Sequence, residues 1–249
     1  MNCSKKCIYL SPSVQEYNLY NGPGNEEEYM NLVADSVERY LEEYGICFTR
    51  NNPSMILGEI VEESNKGEYI LHLAIHSNAA GEGASGEIQG SEVYYFPTSQ
   101  EGFKLASITA NNIKSIYPYP EKVSLKTSTS FSELRRTKAP AILVEIAYHD
   151  NVDDAEWIRN NTDEIGRILA LSVKEYIDSV CECPAGANGE VITMGGNLNI
   201  RKEPSFNSEI ITKLENGTKV KITDCDGKWY KINTDNIEGY AFRHYISTY

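Results

Sequence analysis

Two strongly apolar runs, Tyr69–His76 and Ala141–Ala147, do most to limit what this chain can fold into. A strand with one wet face alternates apolar and polar residues; a run without alternation is a strand buried on both faces, which needs helices packed above and below it. Helical patterns lie where such layers require them. Glu26–Tyr44 has an acidic first turn, apolar Met30, Val33, Val37, Tyr40, Leu41 and Tyr44 at helical spacing, and Gly45 as its stop. Gly58–Ser64, Gly102–Ile116 and Asp153–Asp178 are further expected helices. Cys7–Leu10, ending at Ser11-Pro12, Ile46–Thr49 and Glu92–Phe96 complete the expected strands, and Ser13–Asn25 is an irregular loop. This order predicts an α/β domain with a mostly parallel twisted sheet flanked by helices.

The character of the chain changes after Val180–Gly189, a stretch of Cys, Pro, Ala and Gly without periodicity. Short strand patterns follow at close spacing, with turns expected at Gly195-Gly196, Asn216-Gly217, Asp226-Gly227 and Glu238-Gly239, which describes a small all-β barrel. The expected division is therefore residues 1–180, a linker over 181–188, and a barrel over 189–249. Charge divides in the same place. The net charge is −13, yet from Asn188 onward eight Lys/Arg balance eight Asp/Glu, so the acidity belongs wholly to the first part. A domain so acidic does not suit nucleic acid, whose binding needs clustered cations, and it is not drawn to anionic lipid.

No stretch approaches the length of a membrane span, so membrane insertion is not expected. Lys5 and Lys6 near the start are not followed by a long apolar segment, because Ser11-Pro12-Ser13 interrupts it. This predicts no signal peptide and accumulation in the cytoplasm. The cysteines at 3, 7, 47, 181, 183 and 225 form no CxxC pair and are expected to be reduced thiols.

Three places carry chemistry. His76 ends the first apolar run, where open α/β sheets collect ligands, and reads either as a core histidine satisfied by backbone or as a ligand. His72 lies on the same side of that strand, but about 13 Å away at strand rise, too far to share one ion with it. Glu145 interrupts the second run; a carboxylate there is either ion-paired or held for acid–base work, with burial raising its pKa. Glu26-Glu27-Glu28 opens a helix, where solvated carboxylates offset the helix dipole, but it also offers candidate ligands.

Taken in order, Glu27 with Asn31 four residues on, Ala74-Ile75-His76-Ser77-Asn78-Ala79, and the segment from Arg135 through Pro140 and Glu145 to His149-Asp150-Asn151 resemble the zinc-dependent N-acetylmuramoyl-L-alanine amidases of the amidase-3 type. The resemblance runs over roughly residues 5–178 and is nearest to cell-wall lysins of clostridial phages and prophages. It implies zinc (Zn2+) as cofactor, Glu27 and His76 as ligands, and Glu145 as the general acid/base. The family's first histidine is missing, because the matching stretch reads Ser11-Pro12-Ser13-Val14-Gln15-Glu16. Gln15 takes its place in the motif; Glu16 from the same loop and His149 from the next strand end are alternatives, and zinc prefers carboxylate or nitrogen to an amide oxygen.

The C-terminal piece resembles a bacterial SH3 (SH3b) module through Leu198-Asn199-Ile200-Arg201, Ile211–Val220, Lys228-Trp229-Tyr230-Lys231-Ile232 and Gly239-Tyr240-Ala241-Phe242. Trp229 is expected in its core. The resemblances together imply a hydrolase that cuts the amide between N-acetylmuramic acid and L-alanine, with bacterial peptidoglycan as partner. It would act on the cell wall after release from the cytoplasm. A non-cutting wall binder and a zinc peptidase acting within the stem peptide are the alternatives.

Overall fold

The computed structural model describes residues 6–81, 83–181, 183–193, 195–226, 228–234 and 237–249. The chain forms two compact units, one ending at Ile177 and the other comprising Asp178–Tyr249.

The first unit is built on a six-stranded sheet. Its strands are β1 (Cys7–Pro12), β2 (Cys47–Arg50), β3 (Leu71–Asn78), β4 (Ser91–Tyr95), β5 (Val123–Thr127) and β6 (Ala141–Tyr148), in the order β2-β1-β3-β6-β4-β5. All neighbours run parallel except β4 and β6. The fold is thus α/β with a mostly parallel sheet, as the apolar runs require. Every residue of β1 and β6 is buried. Ile8, Leu10, Leu73, Ile75, Ile142 and Val144 form the centre of the core. Truncating one of them to Ala should destabilise by about 2–5 kcal/mol.

Helices α1 (Glu26–Glu43), α2 (Leu57–Lys66), α3 (Gln100–Lys114), α4 (Ser132–Arg135), α5 (Val152–Asn160) and α6 (Thr162–Cys181) are part of the same order of elements. Asn25 caps α1 by accepting from the Glu28 amide at 2.9 Å, which fixes where the helix begins. Gly45, at φ +66°, ends it. The expected helix over Asp153–Asp178 is two helices: Asn161 caps α5 in a non-helical conformation, and α6 starts afresh. Gly166 of α6 lies so close to α1 that a Cβ would meet the Val33 carbonyl oxygen at 2.8 Å. Strand β5 and helix α4 have weak patterns and were not expected; β5 is mostly exposed and α4 has only four residues.

The second unit is an antiparallel β-structure. Strands β7 (Asn188–Val191), β8 (Leu198–Arg201), β9 (Ile210–Leu214), β10 (Lys219–Asp226), β11 (Trp229–Thr234), β12 (Ile237–Phe242) and β13 (Ile246–Thr248) pair in the order β13-β7-β10-β11-β12-β8-β9. Val191, Ile200, Ile222, Ile232 and Ala241 fill its core, and Trp229 is buried beside Phe206 and Phe242. Gly195, Gly196 and Gly217 take positive φ, as turns there demand. Gly239 does not make a turn: it lies inside β12, where a Cβ would meet Ile200 and Ile211 at 2.7 Å. The expected turn residue Gly227, and Cys3 with the rest of the first five residues, lie outside the described residues.

The expectation of reduced thiols is corrected. Cys7 is bonded to Cys47 and Cys183 to Cys225, and no described cysteine is free. The reason is register. Cys7 and Cys47 sit opposite each other on the neighbouring strands β1 and β2, a proximity that a separation of 40 residues in the chain conceals. Among the described residues no helix is long and apolar enough to cross a membrane.

Candidate active site

Parallel strands deliver their carboxyl ends to one edge of the sheet. There β3 and β6 place His76 and Glu145 side by side in register, and β4, running the other way, sets Glu92 opposite Glu145. The loop after β1 contributes Gln15, and the first residue of α1 contributes Glu26. A cleft of about 480 Å³ opens over this edge, lined by Gln15, His76, Glu133 and Glu145 on its polar side and by Met55 and Phe131 among its apolar residues.

His76 is held from both ring edges. Nδ1 lies 2.9 Å from Glu26 Oε1, and Nε2 lies 3.4 Å from Glu133 Oε2. Burial opposes a charge on this ring, but the two carboxylates overcome it and hold the imidazole well above its ordinary pKa. Glu26 also accepts from Asn18 Nδ2 at 2.6 Å; burial would raise its pKa, and His76 with Asn18 brings it below the ordinary value. Gln15 Nε2 approaches both members of the pair, at 3.4 Å from Glu26 Oε1 and 3.3 Å from His76 Nδ1.

Glu145 is the contrasting case. It is buried, and its Oε2 has no hydrogen-bond partner among the described residues. Desolvation raises its pKa to about 7; His76 pulls the other way, and the carboxylates of Glu26, Glu92 and Glu133 add to the rise. Glu92, directly across the β4–β6 pair, is ionised despite its burial. Lys126, Tyr94 and Tyr148 donate to it and keep its pKa low. Two neighbouring carboxylates are thus driven apart, one fixed as an anion and one able to exchange a proton near neutrality.

Several sequence expectations change here. The carboxylate on His76 is Glu26, whereas Glu27 lies half-buried one position on. The physical reason is the helical period: Glu26, Met30, Val33 and Val37 form the buried stripe of α1, and Glu27 falls outside it with Asn31. His149 is buried but does not line the cleft; Ser77 hydrogen-bonds its Nδ1 at 3.0 Å and Tyr20 stacks on its ring. Glu16 is exposed and also outside the cleft lining. Gln15, His76 and Glu145 do come together. His72, set aside for its distance from His76, is tied to it through Glu133, which receives His72 Nε2 at 3.0 Å. Sequence reading missed Glu133, whose only signal is an acid between Phe131 and Leu134.

Among the described residues no three His, Cys, Asp or Glu side chains converge as a ready-made metal site. Glu26 and His76 supply two strong donors, and Gln15 stands beside both. Four buried carboxylates, Glu26, Glu92, Glu133 and Glu145, crowd this edge, and one of their oxygens is left unpartnered. That surplus of negative charge, with a nitrogen and a carboxylate oxygen already adjacent, fits a divalent cation.

These features define a mixed α/β fold with an acid–base site at the carboxyl ends of its central strands. The chain belongs to the N-acetylmuramoyl-L-alanine amidase family, whose model matches residues 17–175, and it carries a bacterial SH3 domain matched over residues 196–247. The putative N-acetylmuramoyl-L-alanine amidase YrvJ of Bacillus subtilis (strain 168) is 27% identical over 105 residues, 42% of this chain and 19% of that protein. The chain thus spans about a fifth of that relative's length. Among solved structures, the amidase AmiC2 of Nostoc punctiforme superposes with a TM-score of 0.60 at 20% identity, covering 69% of this chain and 97% of that one. The amidase Ami1 of Mycobacterium smegmatis gives 0.61 at 13% identity, with 72% and 100% covered. Cwp6 of Clostridium difficile gives 0.57 at 23% identity, with 73% and 30% covered. At these identities the structures share the fold.

Proposed function

We propose that the α/β unit hydrolyses the amide bond between N-acetylmuramic acid and L-alanine in peptidoglycan, and that the SH3-like unit holds the enzyme on the bacterial cell wall. The observation that carries this reading is Glu145: a buried carboxyl whose Oε2 has no hydrogen-bond partner among the described residues, beside His76 and lining the cleft. With its pKa at about 7, Glu145 accepts a proton from the attacking water and returns it to the departing alanine amine at neutral pH. Glu92 remains an anion and takes no part in that exchange. The apolar wall, with Met55 and Phe131, excludes water from one side of the scissile bond.

Zinc is the proposed cofactor, held by Glu26 and His76 with Gln15 as third donor. When bound it supplies Lewis acidity to the attacking water and the amide carbonyl. Family membership and the surplus buried carboxylates support this choice.

The amide of Gln15 favours a second reading, a wall-binding domain that no longer cuts. Its NH2 group faces His76 while its oxygen accepts from Tyr17 and Asn18 at 3.1 and 3.3 Å. Digestion of purified cell walls separates the two. Release of new N-terminal alanine is expected; any other new amine would indicate a peptidase, and no new amine would indicate a binder.

A further inference from the structure

Glu133 is a buried carboxylate of the cleft that the reaction above does not use, and it joins three polar side chains, Ser11, His72 and His76. Its Oε1 accepts from Ser11 Oγ at 2.5 Å and lies 3.0 Å from His72 Nε2. Its Oε2 lies 3.4 Å from His76 Nε2. His72, fully buried, is itself held at Nδ1 by Ser64 Oγ at 2.9 Å, and Tyr9 stacks on its ring at 5.2 Å. An acid in a four-residue helix is thus held directly by two strands before it touches His76, β1 through Ser11 and β3 through His72, and Ser64 of α2 fixes His72 in turn.

A buried charge with that many fixed donors has little freedom to move, and it meets only one edge of the His76 ring. Glu26 and Gln15 meet the other edge. An imidazole presents its two nitrogens in nearly opposite directions, so Glu133 cannot share an ion with Glu26 at Nδ1. What it can do is hold the hydrogen of Nε2 and stop the ring from turning over. A histidine that binds a metal through one nitrogen commonly donates from the other to a carboxylate, and losing that carboxylate weakens metal binding about 10–100-fold.

We infer that Glu133 is the positioning residue of His76: it holds Nε2–H, so that Nδ1 is the nitrogen presented to Glu26, Gln15 and a bound cation. In a chain without the family's first histidine, only this imidazole among the proposed ligands supplies nitrogen, so its orientation bears more of the affinity. The inference rests on the proposed metal role of His76 but not on the identity of the bond cut.

The experiment is ring-nitrogen NMR on the full chain labelled at histidine and loaded with 113Cd2+, together with Zn2+ titration of the wild type, Glu133→Gln and Glu133→Asp. The wild type should show cadmium coupling at His76 Nδ1 and a protected proton on Nε2. Glu133→Gln should bind Zn2+ about 10–100-fold more weakly and lose the single coupling pattern, and Glu133→Asp should recover part of both. Coupling at Nε2 in the wild type would overturn the inference without any variant, which matters if a variant fails to fold. Unchanged Zn2+ affinity in Glu133→Gln would also overturn it, as would a wild type that takes up neither ion. Failure of the amidase reading is seen separately, as absence of N-terminal alanine from digested walls while the Nδ1 coupling persists.

Discussion

The two units are stabilised by different means. Among the described residues every buried polar or charged side chain lies in the α/β unit, from Ser11 to Ser172; the core of the barrel unit is apolar throughout. In the barrel, an apolar core is joined by the Cys183–Cys225 bond. In the α/β unit, four carboxylates and two imidazoles have been taken out of water at one sheet edge, against a desolvation penalty that only hydrogen bonds and opposite charge offset. A fold retains such an arrangement where the charges have a task, and the contrast matches the proposed division between a unit that reacts and a unit that holds on.

The largest effect should come from Glu145. Replacing it by Gln keeps the shape and removes the proton exchange. Release of alanine amines from cell walls should fall by about 10²–10⁴-fold, with Zn2+ content after dialysis unchanged. Near wild-type turnover in this variant would remove Glu145 from the chemistry and with it the main reason for the buried charge.

The next test concerns two adjacent glutamates. Glu26→Ala should weaken Zn2+ binding by about a hundredfold or more, since it removes a carboxylate ligand and leaves the His76 edge unpaired. Glu27→Ala should leave affinity within about twofold, because a half-buried first-turn acid outside the buried stripe contributes only a dipole interaction. Equal losses in the two variants would erase the distinction drawn from the buried stripe of α1.

That pair also indicates how far the chain could be read before folding. The buried, mostly parallel character of the sheet follows from apolar runs, because burial on both faces leaves a continuous pattern at Leu71–Ile75 and Ala141–Val144. Glu145 and His76 were legible as polar residues inside or ending such runs. Glu26 was legible too, had the stripe of Met30, Val33 and Val37 been extended back one turn instead of matching a motif. Glu133 was not. Its role depends on Ser11, His72 and His76 arriving from two other strands, and no local pattern encodes that meeting. The pairing of Cys7 with Cys47 was hidden for the same reason, since register between β1 and β2 is a tertiary fact.

Stability should register the buried charge directly. The folded-state pKa of Glu145 is about 7 against an ordinary 4.5, so between these values the folded protein keeps a proton that the unfolded chain has released. Stability contributed by this group is therefore present at low pH and lost as pH rises through that window. In chelator, Glu145→Gln should be more stable than the wild type by about 3 kcal/mol at pH 8 and nearly equal to it at pH 4. Denaturant unfolding at the two pH values measures this. An equal difference at both would mean that packing, not charge, distinguishes the variant.

The smallest effect expected concerns the barrel, and it is the one that divides the two units most sharply. The net charge of −13 lies in the residues before Asn188, and the barrel is neutral. Polymers associated with cell walls are often anionic, and a strongly acidic domain is repelled by them at low salt. The barrel should then supply affinity for the wall that the α/β unit lacks, without touching the bond that is cut. A chain ending at Cys181 should clear intact walls about tenfold more slowly, a loss of about 1.4 kcal/mol in apparent affinity. Its rate on a small soluble muropeptide should stay within twofold of the full chain. Added salt should narrow the gap on walls, because screening weakens the repulsion that the barrel compensates. A matching loss on the soluble substrate would show instead that the barrel completes the active site, and the separation of reacting and holding units would fail.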